Sequence, residues 1–332
     1  MAELHTKYLG LSLRNPVVIG SSGLTFSLES IKKMEENGAA AVVLKSLFEE
    51  QILLEAEESM REAAKDNMIY DAYSETLDYI DLHVKEKELG NYLDLIRTLK
   101  SNILIPVIAS VNCVSSHEWT SFARKIEEAG ADALELNIFV MPFNFDKSCT
   151  ENEQIYYDIL REVKKQVSIP VSVKISPFFS NLGQVIRNLS EQGADGIVLF
   201  NRFAGPDIDL ENMTVTVADR FSSPGDITNT LRWIAVSAKR VSCDLAASTG
   251  VHDGDAVIKL LLAGATITEV TSAIYRHGPE YIPVLLNRLI EWMEQKGYNY
   301  LDQFRGKLSQ ASSDNPDAFE RLQFMKYFSE IR

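Results

Sequence analysis

The sequence predicts an α/β protein in which short buried strands and amphipathic helices alternate along all 332 residues. Eight apolar runs rich in β-branched residues are the candidate strands: 16–20, 41–45, 105–110, 132–137, 169–174, 195–200, 243–247 and 265–270. Each run is continuously apolar, which is typical of parallel strands buried on both faces. The joints EEAGADALEL, SEQGADGIVL and LLAGATITEV are degenerate copies of one helix–turn–strand unit. Eight such units favour a closed (β/α)8 TIM barrel over an open doubly wound sheet.

Four accessory segments accompany the predicted barrel, and we expect them to belong to a single domain over 1–332. The stretch LHTKYLGLSLRNP predicts an N-terminal hairpin with Gly10 at its turn, which would cover the bottom of the barrel. Insertions follow strand two, at 48–90, and strand six, at 202–226. Both leave from the C-terminal face, where barrel active sites are built. Residues 298–332 form a C-terminal helical tail, with a last helix predicted at 316–330.

Composition and charge exclude several classes of partner. The 33 basic and 47 acidic side chains give a net charge of −14, which argues against nucleic acid or an anionic membrane as the partner. The N-terminus lacks the apolar segment of a secretory signal, and the longest uncharged run, 101–117, is too polar for a membrane span. The three cysteines are far apart, and the five histidines show no HExxH spacing. We therefore expect a cytoplasmic protein without disulfides or a metal site.

Polar residues collect where the predicted strands end. Amides, hydroxyls and two lysines would ring one mouth of the barrel, with one carboxylate, Glu135, nearby. Taken singly, a strand-end Ser or Asn is most often a cap or a turn former. Together they predict a binding site. Its candidate residues are Ser22, Gly23, Lys45, Ser46, Asn112, Asn137, Lys174, Asn201, Ser248, Thr249, Gly250, Thr271 and Ser272.

Strands seven and eight carry the clearest chemical signal. AASTGV and VTSAI each present small residues with free backbone N–H groups just before a helix. Barrels bind phosphate groups at this place, so we predict a phosphate site, with tight helix–strand packing as the alternative. The absence of a G-x-G-x-x-G segment between a strand and a helix argues against FAD or NAD as the cofactor.

The two lysines at the strand ends add a second signal. Lys45 ends an apolar run and Lys174 lies inside one, so each needs an anionic partner or takes part in chemistry. Three roles are open to them: contact with an anionic cofactor ring, Schiff-base formation, or a structural salt bridge. Phosphate, amides and lysines without metal ligands suit flavin mononucleotide (FMN), because an ammonium would stabilise the negative charge that the ring gains on reduction.

The same segments carry a family resemblance that spans nearly the whole chain. The segments are YLGLSLRNP with the following SSG turn, VVLKS, LELN, VSVKISP, TGV with GDAVIKLLLAGAT, and EQKGYNYLDQFRGKL. In them the sequence resembles the class 1 dihydroorotate dehydrogenases, which are FMN-containing barrels, and especially the dihydroorotate dehydrogenase-like branch. The resemblance implies catalytic roles for Lys45, Asn137 and Lys174. It also implies flavin contacts for Ser22, Gly23, Lys45 and Ser46, ring and substrate contacts for Asn137, Lys174 and Asn201, and phosphate contacts for Thr249, Gly250, Thr271 and Ser272.

The sequence departs from the family at the catalytic base. The family pattern after strand four is N-x-S-(C or S)-P-N, in which the Cys or Ser before Pro removes a substrate proton. Here the equivalent position is Val140 counted from Asn137, or Met141 counted back from the proline, and neither can accept a proton. Cys149, in the loop after strand four, is a weak candidate for a replacement base. The amide-rich loop that grips orotate in the family is not recognisable in 48–90.

Strand six also exceeds the family pattern, because it adds Arg202, Asp207 and Asp209. The Asp-x-Asp pair is a weak metal motif, and we interpret it as turn capping.

The resemblance implies an FMN-dependent oxidoreductase that acts on a CH–CH bond of a small planar substrate. Dihydroorotate, oxidised to orotate in pyrimidine biosynthesis, is the default substrate, although the missing base argues against it. A homodimer is expected, and the sequence does not identify the electron acceptor. Two rival readings remain: an aldolase-type lyase with Lys45 or Lys174 as Schiff-base nucleophile, and a flavin-binding barrel without turnover.

Overall fold

The strands of the protein form one closed barrel and two small hairpins. The computed structural model describes residues 2–52, 54, 73–113, 116–202 and 205–320. Its strands are β1 (Thr6–Tyr8), β2 (Leu11–Leu13), β3 (Val17–Ile19), β4 (Val42–Val43), β5 (Leu47–Phe48), β6 (Val107–Asn112), β7 (Ala133–Asn137), β8 (Val171–Ile175), β9 (Gly196–Leu199), β10 (Pro206–Asp209), β11 (Thr214–Val217), β12 (Asp244–Ser248) and β13 (Ile267–Val270). Each of the eight predicted strands is present.

The barrel closes as predicted, with parallel pairing throughout. The order around it is β3, β4, β6, β7, β8, β9, β12, β13 and back to β3. Helices α1 (Leu28–Glu36), α2 (Tyr73–Asn102), α3 (Ser116–Glu128), α4 (Cys149–Lys164), α5 (Leu182–Glu191), α6 (Ile227–Ser237), α7 (Gly254–Ala263), α8 (Ser272–His277) and α9 (Tyr281–Lys296) lie between or after the strands. The predicted (β/α)8 TIM barrel is confirmed.

Strand two differs from the prediction because it is interrupted. β4 pairs with β3 and β6, and β5 then continues the pairing with β6. Between them, the Ser46 N–H donates to the Ser21 side chain at 3.0 Å. The hydroxyl of Ser21 thus takes a backbone donor that a continuous strand would give to its neighbour, and Lys45 and Ser46 form a break at the mouth of the barrel.

The N-terminal hairpin closes the bottom of the barrel, as predicted. β1 and β2 pair antiparallel, and Leu9 and Gly10 form the turn with φ of 53° and 74°. The buried side chains of Tyr8, Leu9 and Leu13 pack against the inward residues Val18, Ala41, Val43, Ile108, Ala133, Val198, Ala246 and Ile267. This apolar layer fills the lower end of the lumen and leaves its polar end at the other mouth.

The structure describes both insertions and the tail in part. Residues 202–226 contain the antiparallel β10–β11 hairpin. The later part of 48–90 belongs to α2, whereas 55–72 lie outside the described residues. The described part of the predicted helical tail contains 3₁₀ helices at Leu301–Gln303, Gln310–Ser312 and Pro316–Phe319. Residues 321–332, most of the predicted last helix, lie outside the described part.

Candidate active site

The pleat of the barrel strands decides which side chains face the lumen. Side chains alternate along a strand, so inward positions are two residues apart. In β13 the inward apolar residue Ile267 is followed by Glu269 and then Thr271. In β7 the sequence Ala133, Glu135, Asn137 runs the same way. The lumen therefore changes from apolar at the hairpin to polar at the C-terminal mouth.

A cavity of about 520 Å³ opens at this mouth. Nine of the thirteen residues predicted for the cofactor line it: Ser22, Gly23, Lys174, Asn201, Ser248, Thr249, Gly250, Thr271 and Ser272. They come from five different strand ends, as the barrel geometry requires. The volume is within the range of small-molecule sites, about 300–1,000 Å³.

The end of β12 forms a strained backbone cradle. Thr249 has φ of 79°, a conformation that is rare for a β-branched residue. Its hydroxyl donates to the Phe200 carbonyl at 3.1 Å, and the Thr230 hydroxyl donates to the Ser248 carbonyl at 2.9 Å. Gly250 follows with φ of 84°, and a Cβ there would lie 2.2 Å from the backbone nitrogen of Ile227. Only glycine fits this turn, because the backbone at the start of α6 packs directly against it.

The end of β13 meets a segment of the strand-six insertion. The backbone N–H of Ser222 donates to Ser272 Oγ at 3.0 Å. Ser222 Oγ lies 2.9 Å from His252 Nε2, and Arg276 donates to the Ser222 carbonyl at 3.2 Å. These contacts fix the insertion beside the predicted phosphate residues. Arg220, two residues earlier, consequently lines the cavity.

A chain of hydrogen bonds connects the predicted amides and hydroxyls. Asn201 Nδ2 donates to Asn137 Oδ1 at 2.8 Å, and Asn137 Nδ2 donates to Ser46 Oγ at 3.3 Å. Ser46 Oγ lies 3.2 Å from Ser21 Oγ and 2.8 Å from Ser110 Oγ. Asn137 and Ser46 are buried. The structure thus places Asn137 and Ser46 directly beside the cavity residue Asn201, although neither lines the cavity itself.

Beneath this chain lies a buried ionic cluster of Glu135, Lys174 and Glu269. Lys174 Nζ lies 2.7 Å from Glu269 Oε2 and 3.6 Å from Glu135 Oε1. Burial alone would lower the pKa of Lys174, but the two carboxylates outweigh it and raise this pKa. Burial raises the pKa of Glu135 to about 8, the Glu269 carboxylate adds to the rise, and Lys174 opposes it. Lys174 is therefore a charged, ion-paired residue.

The ionic cluster rests on the N-terminal hairpin. Burial raises the pKa of the Tyr8 hydroxyl, and the carboxylates of Glu269 and Glu135 raise it further. Tyr8 therefore stays a neutral phenol between the apolar layer and the charged layer. It can donate a hydrogen bond in this layer without adding negative charge.

Lys45 lies at a second opening, away from the Lys174 cluster. It lines a cavity of about 380 Å³ together with Ser46, Phe26 and Tyr92. Its ammonium lies 5.8 Å from the centre of the Phe26 ring. Ser46 belongs to this second cavity and to the hydrogen-bond chain of the first, so the two openings adjoin at Ser46.

The other candidates lie farther from the main cavity. Asn112 ends β6 and is paired with Phe48 of β5. Cys149 is the exposed first residue of α4 and is not among the residues that line the cavity. At the base position, the Val140 N–H donates to the Tyr156 hydroxyl at 3.0 Å. Val140 and Met141 are both partly buried and supply no acid or base.

Among the added strand-six residues, only Arg202 lines the main cavity. Its guanidinium donates to the Asp219 carbonyl at 2.7 and 2.9 Å. Asp209 accepts hydrogen bonds from the backbone of Glu211 and Asn212, in the turn between β10 and β11. That geometry agrees with the capping interpretation. Within the described residues, no group of three or more His, Cys, Asp or Glu side chains is arranged to hold a metal ion.

Several cavity residues were missed by sequence reasoning. Glu269 is the most important, and the alternation that places Thr271 inward also places Glu269 inward. Arg220, Phe221 and Tyr275 line the cavity too, with the two rings 5.1 Å apart. No motif marks these three: Arg220 and Phe221 reach the cavity through the path of the insertion, and Tyr275 reaches it from α8. Over the part of the chain that is described, no helix has the length and apolarity to cross a membrane.

Comparison with known proteins identifies the family. The sequence profile of the dihydroorotate dehydrogenase family matches residues 3–293. The chain belongs to the dihydroorotate dehydrogenase family. The resemblance carried by the strand-end motifs is thereby confirmed, and the protein is a member of an enzyme family of oxidoreductases.

Relatives from this family match almost end to end. The "Dihydroorotate dehydrogenase B (NAD(+)), catalytic subunit" of Thermoplasma volcanium is 24% identical over 311 residues, covering 92% of this chain and 98% of the relative. The protein of the same name from Bacillus cytotoxicus is 24% identical over 323 residues, covering 92% and 97%. That from Methanocaldococcus jannaschii is 22% identical over 302 residues, covering 88% and 94%.

Proposed function

We propose that this dihydroorotate dehydrogenase-family protein is an FMN-dependent oxidoreductase that acts on a CH–CH bond of a small planar substrate. One observation carries the proposal: nine residues predicted for the cofactor line one cavity at the C-terminal mouth of the barrel. FMN, when bound, supplies the hydride acceptor, and the protein supplies binding, orientation and electrostatics.

The residues of the cavity fit FMN. Hydroxyls and backbone N–H groups of Ser248, Thr249, Gly250, Thr271 and Ser272 are a donor set for a phosphate. The guanidinium groups of Arg202 and Arg220 line the same cavity and suit an anion. Gly250 packs against the backbone of Ile227, so the end of β12 and the start of α6 meet closely beside this donor set. Ser22, Gly23 and Asn201 would lie along the ring, and Asn137 would hold Asn201 in place through their hydrogen bond.

The substrate is proposed to differ from dihydroorotate. Removal of a substrate proton needs a group within hydrogen-bond reach that can accept it, and Val140 and Met141 cannot. Cys149 is exposed and outside the cavity. The cavity formed by Lys45, Phe26, Tyr92 and the start of 48–90 lies where the orotate-binding loop of the family is expected. Its aromatic side chains favour a planar ligand, and its charged lining residues are one of each sign, Lys45 and Glu88.

The ionic state of Lys174 disfavours one of the rival functions. A Schiff base forms from a neutral amine, so a nucleophilic lysine needs a lowered pKa. The pKa of Lys174 is raised by its two carboxylate neighbours. A lyase would therefore depend on Lys45.

We also propose a single domain over 1–332 and self-association through the β10–β11 hairpin. Five large apolar side chains on this hairpin are 61–88% exposed: Ile208, Leu210, Met213, Val215 and Val217. A compact apolar surface of this kind marks a protein interface. A second copy is the simplest occupant, because a two-fold axis brings the same apolar patch of each copy together.

The relatives' names, catalytic subunits of NAD(+)-linked enzymes, support a further protein as the route for electrons.

The test is the identity of the bound cofactor. Flavin released by heating freshly purified protein should be FMN, and protein stripped of flavin should rebind FMN but not FAD. A substrate screen would then monitor anaerobic bleaching of the bound flavin. A colourless protein that does not bind FMN, and that borohydride traps with a phosphorylated sugar, would establish the lyase. Bound FMN that no candidate substrate bleaches would favour a barrel without turnover.

A further inference from the structure

Glu269 has one oxygen that is paired and one that is not. Its Oε2 accepts from Lys174, and it packs 3.3 Å from the Cβ position of Gly20. Its Oε1 is buried and has no hydrogen-bond partner within the described part of the protein. Glu269 is 2% exposed, and it lines the cavity beside Lys174 and Thr271. An unsatisfied buried carboxylate oxygen is costly, so its presence in a ligand cavity calls for an explanation.

The charge of the ionic cluster differs from that of a lone lysine. Lys174 contributes one positive charge, and Glu135 and Glu269 contribute up to two negative charges. The sum is zero when Glu135 is protonated and −1 when it is ionised. The expected role of Lys174, to offer positive charge to a flavin ring, is therefore cancelled by its neighbours. Sequence reasoning omitted Glu269 and so overestimated the positive charge at this place.

We infer that Glu269 is a positioning residue that lowers the electron affinity of the bound ring, because it neutralises Lys174 and sets a carboxylate in the cavity wall. The inference rests on the proposed binding of FMN. Reduction of a flavin places negative charge at the N1 and O2 edge of the ring. Because the Lys174–Glu269 pair carries no net positive charge, it gives the reduced form little electrostatic stabilisation. The site would then hold a flavin that gives up electrons easily to an acceptor.

The other charges at the cavity do not change this comparison. Arg202 and Arg220 also line it, and Arg202 is held by the Asp219 carbonyl. Both arginines come from the strand-six insertion and are present in every variant considered below. Glu135 contacts Lys174 from below and does not line the cavity. Differences between variants at Glu269 therefore report on the Glu269 charge.

The experiment measures the midpoint potential of FMN-loaded wild type and Glu269→Gln by spectroelectrochemical titration at pH 7. Two electrons enter the flavin in each case. The variant should show at least a tenfold higher ratio of reduced to oxidised flavin at the same applied potential, which is a rise of about 30 mV. Glu191→Gln, on the exposed side of α5, removes one carboxylate far from the site and should leave the potential unchanged.

Sulfite binding gives a second, independent measurement. Sulfite adds its sulfur lone pair to N5 of oxidised flavin, an S–N bond forms, no group leaves, and the added negative charge moves to the N1 and O2 edge. Its affinity therefore reports local positive charge. Glu269→Gln should bind sulfite at least tenfold more tightly than wild type, and Glu191→Gln should not.

A double variant separates electrostatics from structural damage. Lys174→Gln combined with Glu269→Gln removes one charge of each sign. The ratio of reduced to oxidised flavin at the same applied potential should therefore return to within threefold of the wild-type value. A purely structural role would instead give losses that accumulate. Equal potentials and equal sulfite affinities in wild type and both variants, with FMN bound, would overturn the inference alone. Failure of the wild-type protein to bind FMN would overturn the proposed function and this inference with it.

Discussion

Lys174 Nζ lies 2.7 Å from Glu269 Oε2, and this contact joins two strands that are not neighbours in the barrel. β9 and β12 separate β8 from β13, so the ion pair crosses the lumen. Both side chains are almost completely buried. Charges in such a place are retained only when each is compensated, because an isolated buried charge is expensive. The pair therefore couples the ionic state of the site to the stability of the barrel.

Lys174→Met should lower the free energy of unfolding by about 3–5 kcal/mol at pH 7, because it leaves the buried Glu269 carboxylate without its partner. Addition of Glu269→Gln should recover part of this loss, since the uncompensated charge is then removed. Urea unfolding followed by circular dichroism measures both effects. The control is Lys164→Met, whose half-exposed pair with Asp195 should contribute no more than about 1 kcal/mol. Equal losses for the two lysines would contradict the assigned burial cost.

Glu135 should make stability depend on pH. Burial raises its pKa to about 8, whereas the unfolded chain has an ordinary glutamate pKa near 4.3. At a pH between these two pKa values, Glu135 holds a proton in the folded protein and releases it in the unfolded chain. Glu135 therefore does not lower the free energy of unfolding below about pH 4. As the pH rises from there toward 8, the free energy of unfolding declines by at most about 1.4 kcal/mol per pH unit.

Glu135→Gln should remove this decline. The free energy of unfolding should be measured for wild type and variant at pH 5.5, 6.5 and 7.5. As the pH rises, the value for the variant should increase relative to that for wild type. Glu191→Gln serves as the control and should run parallel to wild type. Parallel curves for Glu135→Gln as well would mean that Glu135 is already ionised at pH 5.5.

The fold was predictable from this sequence because its signals are local. Each strand is a continuous apolar run, and glycines such as Gly130, Gly193 and Gly264 end the preceding helices with positive φ. The hydroxyls and amides at the strand ends were predictable for the same reason, since a barrel brings its strand ends together. The residues predicted for the cofactor at the ends of β12 and β13 thus lie in one cavity.

What sequence reasoning missed depends on contacts that are distant along the chain. Glu269 lies within an apolar run, and its partner Lys174 is 95 residues away. Arg220 reaches the cavity because Ser222 is tied to Ser272, 50 residues later. The break in strand two depends on a hydrogen bond from Ser46 to Ser21. Periodicity describes burial along one strand, and it carries no information about partners on other strands.

Ser272→Ala should weaken the binding of FMN but not that of riboflavin, which lacks the phosphate. Ser272 Oγ lies at the end of β13, within the predicted phosphate set. Loss of a hydrogen bond to a charged group costs about 1.5–3 kcal/mol, or roughly a 10- to 100-fold loss of FMN affinity. Fluorescence quenching of each flavin on stripped protein measures this. Ser101→Ala, at the exposed end of α2, is the matched control. An equal loss for both flavins would place the phosphate elsewhere.

Polar substitutions on the β10–β11 hairpin should convert a dimer to a monomer. Leu210→Ser with Met213→Ser removes the two most exposed apolar side chains of this hairpin, at 85% and 88% exposure. Sedimentation velocity should show a dimer for wild type and a monomer for the double variant, with unchanged circular dichroism. Phe145→Ser removes an equally exposed apolar side chain outside the hairpin and should leave the dimer intact. A monomeric wild type would contradict self-association through this surface.

Dihydroorotate should reduce the bound flavin only slowly. Its oxidation requires a proton to leave the carbon next to the one that loses hydride, and a positioned base contributes about 10²- to 10⁴-fold to such a step. Val140 and Met141 occupy the base position, and Cys149 is exposed at the start of α4.

Anaerobic stopped-flow mixing would follow the bleaching of bound FMN, with dithionite as the control that the flavin can be reduced. Cys149→Ala should bleach at the same slow rate as wild type. Fast bleaching that Cys149→Ala abolishes would instead identify Cys149 as the base. Fast bleaching in both proteins would show that dihydroorotate is a substrate and that the proton leaves without a side-chain base at the family position.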